Sequence, residues 1–104
     1  MYIAQSVREC ISMVESETGK KINVMSFSYN RLMNHVKYMI ARILNGEKIK
    51  LNMNDYMSVK FSKEFGIATV ICDNMSKNLK REVDDAEIGY LAMHIERVTS
   101  GELD

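Results

Sequence analysis

At 104 residues, 46% apolar and 27% charged, the chain is long enough for one hydrophobic core and too apolar to be disordered. Its 14 Lys and Arg against 14 Asp and Glu leave no net charge, which removes the cationic excess that phosphate contacts demand and argues against direct nucleic-acid binding. With no run of eighteen apolar residues and no charged-then-apolar leader with a cleavage site, neither a membrane span nor a secretory signal is expected, and the implied compartment is the cytoplasm.

Proline is absent and apolar residues recur every three or four positions from end to end, which predicts an all-α chain. Ile3, Val7, Cys10, Ile11 and Val14 form the stripe of a first helix that stops at Gly19. After a connection over residues 20–25, Ser26 or Ser28 is placed to cap a second helix. It runs to Gly46 and turns Tyr29, Leu32, Val36, Ile40, Ile43 and Leu44 inward. The polar and basic stretch from Glu47 to Leu51 reads as a loop. Asn52 or Asn54 then caps a shorter third helix that buries Tyr56, Val59 and Phe61 and ends near Gly66. Ile67, Val70, Ile71, Met75 and Leu79 make a fourth stripe, and residues 80–83 turn the chain into a fifth helix.

The fifth helix has the clearest local signals. Asp84 and Glu87 stand three apart as in a capping box, Asp84 accepting from the first free amides and Glu87 reaching back to the amide of Asp84. Ile88, Leu91, Ala92, Ile95 and Val98 share one apolar arc of roughly 120°. After Val98 the pattern ends, and residues 100–104 are expected to fray. Five amphipathic helices joined by short loops imply a single five-helix bundle over residues 1–104, ordered from about residue 2 to about residue 99.

Nine methionines fit such a bundle as adaptable core filler, the alternative being a Met-rich docking groove. Cys10 and Cys72, set among apolar residues without CxxC spacing, read as buried, reduced thiols. Lys77, Lys80 and Arg81 read as solvated charges favoured by the C-terminus of the fourth helix.

Both histidines fall on the border between an apolar stripe and a solvent face, His94 about 95° and His35 about 110° from the centres of their arcs. Each has a charged residue two turns away on the same side, Glu87 before His94 and Arg42 after His35. The plainest reading is a ring packed on apolar neighbours with one hydrogen bond. A metal site built on His94 and Glu87 needs at least one further ligand, since HxxxH and ExxH spacings are absent, and no GxSxG, Gly-rich phosphate loop or carboxylate pair points to hydrolysis. No metal or cofactor is expected. A neutral imidazole is well suited to accept a phosphoryl group near neutral pH, and a guanidinium holds the added charge through paired hydrogen bonds. Arg42, about 10 Å along the helix from His35, has the reach for this.

Two segments, NHVKYMIARIL (residues 34–44) and the more specific EIGYLAMHI (residues 87–95), together with the spacing between them, resemble the PRD. This is the phosphotransferase-system regulation domain found, usually in pairs, in sugar-operon antiterminators of the BglG type and in related activators. The match covers nearly the whole chain, with LNMNDYM standing where the family has an Asn-Pro-Leu-like entry to its third helix. The resemblance implies a five-helix domain that forms a homodimer, with His35 and His94 as phosphoacceptors and Asn34, Arg42, Glu87 and Tyr90 in support. It implies HPr or a sugar-specific enzyme IIB as phosphoryl donor, and a dimer rearrangement that controls an attached effector. On this reading the domain is a substrate and sensor, not an enzyme, and the chain is either an excised module or a small stand-alone PRD. The other reading left open is a dimerisation module that keeps the fold without phosphotransfer.

Overall fold

Ser26 decides where the second helix begins, because its hydroxyl accepts the Tyr29 amide at 3.0 Å while its own backbone is extended. Gly46 decides where that helix ends: at φ 70° it is left-handed and returns its amide to the Arg42 and Ile43 carbonyls. The computed structural model describes residues 2–100. They form α1 (Tyr2–Thr18), α2 (Phe27–Asn45), α3 (Asn54–Lys60), α4 (Ser62–Leu79) and α5 (Ala86–Ser100), with no strand among the described residues. The all-helical expectation is met. Of the tail expected to fray, residues 101–104 lie outside the described residues; Thr99 and Ser100 continue α5, and the Thr99 hydroxyl donates to the Ile95 carbonyl.

α5 is the central element, packed against α4, α2 and α3, while α1 lies across α2 and α4. Val14, Leu32, Val36, Ile40, Ala68, Ala92 and Ile95 have no exposed surface and mark the centre of the core. Each of the larger aliphatic chains among them contributes about 1.5–3 kcal/mol by leaving water. Met39, Met57 and Met75 are buried and Met13, Met33, Met53 and Met93 pack on the core, so these seven act as filler, whereas Met25 is exposed. Cys10 and Cys72 are buried free thiols, and burial pushes each up to about 12.

Several expectations are corrected. α3 ends at Lys60, not near Gly66: Phe61 leaves helical geometry (φ −128°, ψ 58°) and Gly66 lies inside α4. Within α3, Tyr56 and Val59 point to solvent and Met57 is buried instead. A seven-residue helix presents only one inward turn, and Met57 fills it, with Phe61 packing partly buried just beyond. On α4, Val70 is exposed while Ala68 and Cys72 take the inner face.

A further correction concerns the start of α5. Asp84 and Glu87 form no capping box: the Asp84 side chain lies 3.9 Å from Lys48 Nζ, and the Glu87 carboxylate points into the bundle. The cap comes from α3. Asn54 accepts the Gly89 amide on Oδ1 at 2.9 Å and donates from Nδ2 to the Asp85 carbonyl at 2.8 Å, satisfying two backbone groups of the first turn from 31 and 35 residues away. Gly89 permits this approach, since a Cβ there would stand 3.1 Å from the Asn54 amide nitrogen, 3.2 Å from the Met53 carbonyl carbon and nearer still to Asn54 Oδ1. The far end of α4 is tied in a similar way. Lys80 is left-handed at φ 54°, and Arg81, expected to be merely solvated, donates from Nη1 to the Leu44 carbonyl at the end of α2.

The two glycines inside helices therefore respond to alanine in opposite ways. Gly66→Ala, with nothing within 4 Å of the new methyl, is expected to stabilise the fold by about 0.5–1 kcal/mol. Gly89→Ala is expected to destabilise it by about 1–3 kcal/mol despite the same gain in helix propensity. Urea-unfolding midpoints of the two variants measure both signs.

Candidate functional site

α2 and α5 run antiparallel, and their packing lays the two histidines on one another. The His35 and His94 rings stack with centroids 3.7 Å apart and planes 15° from parallel. Tyr90, one turn before His94, stands edge-on to both, 5.2 Å from the His35 centroid and 4.9 Å from that of His94. Its hydroxyl lies 3.0 Å from Nδ1 of His35. His35 is half-buried, but His94 is only 3% exposed, and its Nε2 has no hydrogen-bond partner among the described residues. This corrects the border position inferred for His94. A helical wheel finds the apolar arc of one helix, and α2 covers the flank of α5 that the wheel assigns to the border.

Glu87 has no exposed surface, and its carboxylate accepts two hydrogen bonds from Arg42, Nε to Oε2 at 2.9 Å and Nη2 to Oε1 at 2.7 Å. The bond to Glu87 is the chief reason the Arg42 guanidinium is held above its ordinary value. The same guanidinium lies 5.6 Å from the Tyr90 ring centroid, so charge pair, tyrosine and histidine stack form one connected cluster between two helices. Of the six residues singled out from the sequence, His35, His94, Arg42, Glu87 and Tyr90 meet here. Asn34 is exposed on α2 and joins none of these contacts. Both Glu87 oxygens are taken by Arg42, and among the described residues no three His, Cys, Asp or Glu side chains converge as a metal site would require.

Electrostatics keep both rings neutral. Burial, then the charge of His35, then Arg97 and Arg31, lower His94 from 6.5 to about 3; burial, then Arg42, Arg31 and Arg97, lower His35. Arg31 and Arg97 were not identified from the sequence. They stand one turn before His35 and one turn after His94, so the same helical spacing that placed Arg42 and Glu87 would have found them. The result is a pair of uncharged imidazoles, nucleophilic at neutral pH, in a field of three guanidinium groups that favours an incoming anion.

Two measurements test this description. Arg42→Ala leaves a fully buried carboxylate unpaired and is expected to cost about 3–5 kcal/mol. Glu87→Gln leaves a guanidinium that reaches water and should cost less than half as much, while Arg42→Leu with Glu87→Leu recovers most of the loss; urea unfolding of the three variants gives the comparison. Second, a histidine that is neutral when folded and protonates near 6.5 when unfolded makes the unfolded state the better proton binder between its two pKa values. Its stabilising contribution is complete above pH 6.5 and falls as pH drops from 6.5 toward about 3. Below pH 6.5 the decline of the unfolding free energy should steepen, approaching about 1.4 kcal/mol per pH unit for His94 by pH 5, with a smaller addition from His35. His94→Gln should lose most of that slope.

The PRD domain family model matches residues 8–98 of this chain. Among curated relatives, the GlcA/glcB genes antiterminator of Staphylococcus carnosus is 30% identical over 95 residues, covering 89% of this chain and 33% of the relative. The beta-glucoside operon antiterminator of Dickeya chrysanthemi is 26% identical over 103 residues, covering 96% and 36%. The PtsGHI operon antiterminator of Bacillus subtilis is 26% identical over 99 residues, covering 93% and 35%. The chain thus spans about a third of the length of the curated relatives it matches. No solved structure gives a significant match. With a family match over nearly its full length and the five-helix architecture in place, the chain belongs to the PRD family.

Proposed function

We propose that the chain is a single cytoplasmic regulatory module that accepts a phosphoryl group on His35, on His94 or on both, and through it regulates transcription of a sugar operon. The observation that carries this reading is the stack itself. Two neutral imidazoles in face-to-face contact at 3.7 Å, bordered by Arg31, Arg42 and Arg97, make a poor structural filler and a good nucleophile. The name of every relative reported above is that of an antiterminator, which supports a regulatory output in place of turnover. No helix of the described residues is long and apolar enough to cross a membrane. The donor is HPr or a sugar-specific enzyme IIB, each of which carries its phosphoryl group at high transfer potential and needs only a neutral acceptor.

The switch follows from charge. A phosphoryl group brings up to two negative charges to a cluster whose one buried anion, Glu87, already holds Arg42. On His35 it competes with Glu87 for the Arg42 guanidinium, two turns away on the same face of α2, and so acts on the contact between α2 and α5. A change of about 1–3 kcal/mol in that contact is enough to shift the association of two copies of the chain by one to two orders of magnitude. The half-buried His35 is accessible to a donor in the fold as it stands; His94 becomes so when the stack parts.

Incubation of the purified chain with the phosphoenolpyruvate-driven carrier system should yield acid-labile, base-stable phosphate, lost in the double variant His35→Ala, His94→Ala. Absence of label with several cognate donors removes the acceptor role and leaves a dimerisation module. Label that survives the double variant moves the role to other residues.

A further inference from the structure

A neutral imidazole carries one N–H and one lone pair, and only the nitrogen with the lone pair can attack phosphorus. The two nitrogens of His35 have different surroundings. Nδ1 lies 3.0 Å from the Tyr90 hydroxyl. Nε2 has no hydrogen-bond partner among the described residues, and it is not one of the side-chain atoms sealed from solvent, whereas Nε2 of His94 is. The Tyr90 ring stands edge-on against both imidazoles with the Arg42 guanidinium 5.6 Å from its centroid, contacts that hold the hydroxyl beside Nδ1.

We infer that His35 takes its phosphoryl group on Nε2 alone, and that Tyr90 is the positioning residue that enforces this by holding Nδ1. The inference rests on the phosphoacceptor reading above and adds to it the reacting atom. If the tyrosine hydroxyl donates to Nδ1, the proton of the ring sits on Nε2 and the single lone pair is occupied, so that tautomer cannot attack. If Nδ1–H donates to the tyrosine oxygen, the lone pair lies on Nε2, which reaches solvent. The productive tautomer is the second, and a phosphoryl group on Nδ1 would have to occupy the place of the Tyr90 hydroxyl. His94 covers one face of the same ring at 3.7 Å and helps to fix its plane.

The transfer is balanced without an external acid or base. The Nε2 lone pair of His35 forms the new P–N bond to a donor phosphohistidine whose ring is protonated on its other nitrogen. The donor P–N bond breaks, its electron pair returns to the donor ring, and that ring leaves as neutral imidazole. His35 becomes an Nε2-phosphorylated imidazolium whose Nδ1–H still donates to the Tyr90 oxygen. The hydroxyl therefore supports the ring at the moment it gains positive charge.

The experiment uses the full chain with ¹⁵N-labelled histidine and reads long-range ¹H–¹⁵N correlations before and after phosphorylation. One sample is phosphorylated by the carrier system and a parallel one by phosphoramidate, which phosphorylates accessible imidazoles with no protein donor. The expected results are an Nδ1–H tautomer for unmodified His35 and a single Nε2 phospho-isomer from either source. Tyr90→Phe keeps the ring and its edge contacts but removes the hydroxyl, so the Nδ1 isomer should rise from undetected to a comparable share and the unmodified tautomers should mix. A wild-type product on Nδ1, or an Nε2–H tautomer, overturns the inference; a Tyr90→Phe pattern identical to wild type overturns the role of the tyrosine. Nε2 labelling by phosphoramidate with none from the carrier system upholds the nitrogen assignment while removing the phosphotransfer reading. His35 left unlabelled by both sources overturns the two together.

Discussion

A carboxylate with no exposure to water is tolerable only beside a matched positive charge, and in this bundle Glu87 meets that condition through one partner among the described residues, Arg42. The planar fork of the guanidinium donates to the two carboxylate oxygens in a paired arrangement, so the pair fixes the register of α2 against α5. That register is what creates the histidine stack. His35 stands seven residues before Arg42, and His94 seven residues after Glu87. On antiparallel helices both displacements run the same way by about 10 Å, which brings the two rings to the same height. A shift of one turn along either helix would separate them.

The stack in turn places unusual demands on its own chemistry. Two imidazoles in van der Waals contact do not readily both carry charge, and burial, with the arginines adding to it, disfavours even one proton. Burial and the surrounding charges thus keep the lone pairs available, and those charges draw anions toward them. Tyr90 is the hinge between the two halves of the cluster, touching the histidines through its ring edge and hydroxyl and the ion pair through its ring and the Arg42 guanidinium. Anything that alters the charge on His35 is felt within one residue at the contact that sets the register.

Helices with local signals were legible in the sequence. Ser26, Gly19 and Gly46 mark their ends by chemistry that needs no tertiary context, and the stripes of α1, α2 and α5 face the core as their spacing requires. The motif residues, apart from Asn34, meet at one site. What was not legible depends on neighbours. Tyr56 and Val59 are as apolar as Met57, and only the docking of α3 on α4 and α5 decides that Met57 is the one buried. Glu87 fits a capping box as well by spacing as it fits a buried ion pair, and the choice is made by Arg42, 45 residues earlier. His94 is a border residue on its own helix and an interior residue once α2 is laid beside it.

Asn54 ties two distant segments together. The first turn of α5 has no side chain of its own that accepts the Gly89 amide; the acceptor belongs to α3 and arrives only when that short helix has docked. Closing a loop of some thirty residues thus completes the hydrogen bonding in the first turn of the helix that carries Tyr90 and His94. Since α3 has a single buried side chain, Met57, to hold it in place, a local event at its surface would reach the acceptor cluster by unravelling the start of α5, with no direct contact to either histidine.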